Sequence, residues 1–93
     1  MVYELHCPIC SATYIGSTIR SLHVRVREHL TRPLSSVFQH LQRCDTNRVR
    51  TKVLASDPDE ANLRLREAML IRQRRPSINS RAESEALASF LFI

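Results

Sequence analysis

The chain has 93 residues, a length that suits one compact domain, and a domain of this size buries only roughly 60–65% of its unfolded surface, so a metal or disulfide is a common supplement to its core. No apolar run is long enough for a membrane span, and Glu4, His6 and Cys7 interrupt any signal-peptide pattern at the N-terminus. The net charge is +5, and thirteen of the fourteen basic residues are arginine. The guanidinium fork grips phosphate oxygens in bidentate fashion, so a nucleic-acid partner stands beside the plainer reading of a solvated basic surface.

In chain order, Val2–His6 alternates as a strand and begins almost at Met1, which we read as the start of a domain taken from a longer protein. Cys7-Pro8-Ile9-Cys10 is a tight turn, and Ala12–Ile15 is a second strand. Folding the two strands back about the turn sets Cys7 opposite Cys10 and Tyr3 opposite Tyr14, with facing Cβ atoms roughly 5 Å apart. Ser21 is a candidate cap for a helix to about Leu30, with an apolar stripe of Leu22, Val26 and Leu30. Arg32-Pro33 ends it. A short helix from about Ser35 to Arg43 follows, then a strand over Val49–Ala55. Asp57-Pro58 has the pattern of an N-cap followed by proline at the first helical position, opening a helix to about Arg74. Ala82–Leu91 reads as a last helix, ending in an apolar tail. The order β-β-α-α-β-α-α predicts an α+β domain with a small antiparallel sheet.

Three cysteines cannot close a disulfide framework by themselves, and their spacing favours a metal. Cys7-x2-Cys10 and His40-x3-Cys44 each span one turn of backbone, so each pair can reach one tetrahedral zinc ion. A redox Cys-x-x-Cys is the rival, but its second cysteine should lead into a helix, whereas Cys10 leads into strand-like sequence. Free buried thiols are the third possibility.

Other residues carry chemical potential. Arg25 and His29 share a helix face at i, i+4, a pattern that also fits an ordinary solvated face. Glu67 sits among Leu63, Leu70 and Ile71, where a carboxylate needs a metal or a cation such as Arg25. Gly16 is the only glycine, which marks a position requiring positive φ or close approach.

Taken together, these residues resemble the GIY-YIG endonuclease family. Tyr14-Ile15-Gly16 matches the second signature tripeptide, and Val2-Tyr3-Glu4 stands where the first belongs, keeping only its tyrosine. Arg25-x3-His29 is similar to the family's helix motif, and Glu67-x3-Ile71 followed by Pro76-x2-Asn79 to its metal-binding glutamate and closing asparagine. The correspondence runs from about residue 2 to 80 and rests on order and spacing, not on any single piece. A Cys-x-x-Cys between the tyrosine motifs is similar to the endonuclease domain of Penelope-like retrotransposons, although there the last ligand is usually histidine where this chain has Cys44.

The resemblance implies a three-stranded β-β-α-α-β-α fold with a zinc knuckle in its first hairpin. It also implies hydrolysis of a DNA phosphodiester with Mg²⁺ or Mn²⁺ anchored by Glu67. On that reading Arg25 neutralises phosphoryl charge, Tyr3 activates water, and Tyr14 orients water or phosphate. His29 shares the proton traffic, and Asn79 organises the site by hydrogen bonding. The implied setting is nuclear, within a retroelement protein carrying a reverse transcriptase, where a nick exposes a 3′-hydroxyl for priming. A zinc-stabilised nucleic-acid-binding module without activity is the alternative. A protein-interaction domain docking through Phe90-Leu91-Phe92-Ile93 is a third reading.

Overall fold

A computed structural model describes residues 1–79. The predicted final helix over Ala82–Leu91 and the apolar tail lie outside them. The elements run β1 (Val2–His6), β2 (Thr13–Ser17), α1 (Leu22–Thr31), α2 (Ser36–Arg43), β3 (Arg50–Ala55) and α3 (Glu60–Arg74). The fold is α+β: the three strands form one antiparallel sheet in the order β2-β1-β3.

Strand alternation divides the core between the two faces of β1. Tyr3, Leu5 and Cys7 point to one side and meet Tyr14, Val37, Leu41 and Ile78, with the α1 stripe Leu22, Val26 and Leu30 packed against them. Val2 and Ile15 point to the other side and meet Leu63 and Ile71 of α3. The sheet is therefore sandwiched, with α1 and α2 on one face and α3 on the other. Each fully buried large side chain contributes about 1.5–3 kcal/mol, so two small clusters hold the domain together.

The hairpin register differs from the expected one. Tyr3 faces Gly16, and Tyr14 faces Leu5, a slip of two residues. A two-residue slip preserves the face of every side chain, so the tyrosines still share a surface, now as diagonal neighbours with ring centroids 6.5 Å apart. The cause is the turn, which closes through Cys7 N–H to the Ala12 carbonyl at 2.9 Å and holds Ser11 in the left-handed region at φ 62°. The knuckle is thus longer than a turn centred between Cys7 and Cys10, and β2 extends past Gly16 to Ser17.

Two caps also differ. Asp59, not Asp57, caps α3, its carboxylate accepting from Ala61 N–H at 2.9 Å, while Asp57 accepts from Asp59 N–H. Pro58 consequently precedes the helix. Ser21 takes the expected N-cap position of α1, but its side chain makes no capping bond. Gly16 does not adopt positive φ; its role is close approach, as shown below.

Candidate functional site

The hairpin turn brings Cys7 and Cys10 towards α2, where His40 and Cys44 lie one turn apart and Cys44 is the C-cap. Asp45 follows in the left-handed region at φ 55°, ending the helix just beyond the second cysteine. One ligand atom from each of the four residues lies within 4.8 Å of the others. Zinc at about 2.3 Å from sulfur sets tetrahedral sulfur–sulfur edges of roughly 3.8 Å and sulfur–nitrogen edges of roughly 3.6 Å. The Cys44–Cys10 sulfurs are 3.7 Å apart, Cys44 Sγ is 3.5 Å from His40 Nε2, and Cys10 Sγ is 3.1 Å from it.

The electrostatics fit the same ion. Burial pushes the Cys7 thiol up, but backbone N–H groups of Cys10 and Ile9, with the His40 and Cys10 side chains, bring it down to about 6. Burial and the neighbouring Cys10 and Cys7 sulfurs push Cys44 up to about 11. The cluster accepts one negative charge readily and resists more, the problem that a divalent cation solves. The Cys3His group can hold zinc.

The second cluster lies between β1, β2 and α1. His29, one turn beyond Arg25, stands against both tyrosines, with centroids 4.8 Å from Tyr14 and 5.9 Å from Tyr3, both edge-on. The Tyr3 phenol is 2.8 Å from His29 Nε2, and His29 Nδ1 is 2.9 Å from Ser35 Oγ. Burial first, and then the Arg25 charge, push the imidazole down to about 4 against a weaker opposing pull from Glu28, so the ring is neutral at pH 7. Burial also acts to lower Arg25, but the Tyr3 phenol, which accepts a hydrogen bond from it, together with Tyr14 and Glu28, more than offsets this and raises it.

Gly16 is the floor of this cluster. A Cβ at that position would stand 2.6 Å from the Tyr3 hydroxyl oxygen, 2.8 Å from Tyr3 Cζ and 2.9 Å from Tyr14 Cε1. Only hydrogen on that backbone lets both phenol rings lie over it. Asn79 closes the outer edge of β2. Its carboxamide accepts from Ile15 N–H at 2.8 Å and donates to the Ile15 carbonyl at 2.9 Å, as a neighbouring strand would. Ile15 lies between Tyr14 and Gly16, so Asn79 holds the strand that carries both.

Glu67 belongs to the buried face of α3 with Leu63 and Ile71, and its carboxylate accepts from the Ser17 hydroxyl at 2.7 Å. Its helix packs against the edge strand β2. There a cleft of about 300 Å³ is lined by Tyr14, Ser17, Arg20, Arg25 and Glu67, among others. Tyr3, expected to meet water, has no exposed surface and does not line this cleft, whereas Tyr14 does.

Sequence reasoning missed three participants. Ser17 orients Glu67, Ser35 meets His29, and Glu28 gathers three arginines: Arg20 at 2.6 Å, Arg32 at 3.2 Å and Arg25 at 3.4 Å. The i, i+3 and i, i+4 spacings of Arg25 and Arg32 about Glu28 are readable signals; the serine contacts, across 50 and 6 residues, are not. Among the arginines, Arg20, Arg25 and Arg32 share this carboxylate, Arg27 contacts His23, and Arg50 lies on exposed β3. In comparisons with known proteins, no family model, curated protein or solved structure matches this chain.

Proposed function

We propose that this protein is a metal-dependent DNA endonuclease, cleaving a phosphodiester in the cleft between β2, α1 and α3. The observation that carries the reading is the meeting of three unlike groups in one cleft: the Tyr14 phenol, the Arg25 guanidinium and the buried Glu67 carboxylate. A module that only binds nucleic acid has use for the arginines and none for a carboxylate facing the phosphate. Glu67, fixed by Ser17, suits Mg²⁺ or Mn²⁺, hard ions that take few carboxylates and keep several waters. When bound, such an ion supplies polarisation of the scissile phosphate and stabilisation of the leaving 3′ oxygen.

The protein's own residues divide the remaining work. Arg25 stabilises charge developing on the phosphoryl oxygens. Tyr14, the phenol lining the cleft beside Arg25, orients the attacking water and takes its proton. This moves the water-activating role from Tyr3, which is sealed from solvent, to Tyr14. Tyr3 and His29 form the hydrogen-bonded backing that positions Arg25 and the Tyr14 ring. Asn79 acts through the β2 backbone, and the Cys3His group holds a structural zinc that ties the hairpin to α2. The wider setting follows from the resemblance: a nick made in the nucleus, within a retroelement protein, that primes reverse transcription.

The test is nicking of supercoiled plasmid with added Mg²⁺ beside Glu67→Ala. Metal-dependent nicking by the wild type and none by the variant is the expected pair of results. Equal nicking by both overturns the proposal.

A further inference from the structure

Ser35 occupies the N-cap of α2 with extended backbone angles (φ −67°, ψ 132°), the geometry in which a serine hydroxyl ordinarily accepts from the first turn of its helix. It makes no such bond. Its Oγ instead lies 2.9 Å from His29 Nδ1. A strong local preference has been diverted to the far side of an imidazole, and departures of this kind concentrate at functional sites.

The direction of the hydrogen bonds follows from donor chemistry. A guanidinium only donates, so at the Arg25–Tyr3 contact the phenol oxygen accepts. The Tyr3 proton is then directed to its other partner, His29 Nε2, 2.8 Å away. A neutral imidazole that accepts at Nε2 carries its proton on Nδ1, where Ser35 Oγ receives it. The opposite tautomer would aim two donors, His29 Nε2–H and Arg25, at one phenol oxygen inside a pocket that leaves Tyr3 no exposed surface.

We propose that Ser35 is a positioning residue that holds His29 as the Nδ1–H tautomer, so that the chain Ser35–His29–Tyr3 turns the phenol oxygen towards Arg25 and sets the guanidinium in the cleft. Its catalytic consequence rests on the endonuclease reading; the tautomer assignment does not. Free imidazole side chains in water favour the Nε2–H form, so loss of Ser35 releases the ring towards that form.

The experiment is ¹⁵N–¹H correlation of imidazole nitrogens at pH 7 in the zinc-loaded full chain. Wild type, Ser35→Ala and Ser35→Thr are compared, and His29→Asn identifies the resonances. Nicking rate and DNA affinity are measured on the same samples. Wild-type His29 should be protonated on Nδ1. Ser35→Ala should shift it towards Nε2–H and slow nicking roughly 10- to 100-fold without changing DNA affinity, because a hydroxyl orients a ring without the charge of a triad carboxylate. Ser35→Thr, which keeps the hydroxyl, should restore both readouts. A merely structural Ser35 would change melting temperature and leave the tautomer alone. Wild-type His29 protonated on Nε2, or a Ser35→Ala ring still protonated on Nδ1, overturns the proposal. An Nδ1–H ring that shifts with Ser35→Ala in a protein that never nicks DNA supports the Ser35 assignment and removes the endonuclease reading.

Discussion

Replacing Gly16 with alanine asks whether the paired phenols, or the glycine backbone itself, set the requirement at this position. Gly16 lies in β2 without positive φ, so its backbone is open to any residue. If nothing else mattered, Gly16→Ala would stabilise the strand by about 0.5–1 kcal/mol, because glycine in an element interior carries excess chain entropy. The added methyl, however, would stand 2.6 Å and 2.8 Å from Tyr3 atoms and 2.9 Å from Tyr14. Tyr3 is fully buried and bonded to His29, so its ring cannot yield without breaking that bond. Overpacking of this kind costs about 1–3 kcal/mol. For a domain of this length each kcal/mol moves the midpoint by about 4–8 °C, so a fall of roughly 5–20 °C is expected in thermal unfolding of the zinc-loaded protein followed by circular dichroism. Tyr3→Phe removes the atom nearest the new methyl, so the double variant should recover at least about 0.5 kcal/mol relative to additivity. An unchanged or raised melting temperature in Gly16→Ala would refute the close-approach argument.

Elemental analysis should find one zinc per chain, and Cys44→Ser or strong chelation should lower the melting temperature sharply, since binding free energy at a structural site is folding free energy. Acidification should weaken zinc binding, because each ligating thiol must give up its proton to hold the metal. Glu67→Ala should abolish nicking, leave DNA affinity intact and lower the midpoint by no more than about 4–8 °C, the equivalent of roughly 1 kcal/mol for the lost Ser17 bond. A fall beyond roughly 12 °C would instead mark Glu67 as the buried counter-ion of Arg25, whose loss costs about 3–5 kcal/mol. DNA affinity should fall steeply between low and physiological salt with weak sequence preference, because the arginines offer phosphate contacts and no base-reading element; a flat salt response by fluorescence anisotropy would contradict this. Stability should decline as pH falls from about 6.5 towards about 4, because unfolded histidine protonates first while buried His29 resists; His29→Asn should flatten that slope in denaturant titrations.

Much of this architecture was legible locally. Alternating apolar residues, the Leu22–Val26–Leu30 stripe and the proline after Arg32 depend on near neighbours, and the elements form where those patterns place them. The Cys3His cluster was legible as well, because Cys7-x2-Cys10 and His40-x3-Cys44 each span a single turn and need only one approach to meet. Gly16 announced its importance by being the only glycine, but not which of two reasons applied. The folded structure decided what depends on backbone conformation and on how the elements pack. The two-residue register slip comes from the Ser11 turn, a backbone conformation that the composition of the knuckle does not announce. The seclusion of Tyr3 and the exposure of Tyr14 to the cleft arise because one tyrosine is on the central strand and the other on the edge strand. The diversion of Ser35 from its helix to His29 is likewise invisible in sequence. A hydroxyl at an N-cap has a local partner available, and only packing α1 against α2 supplies the imidazole that it meets instead.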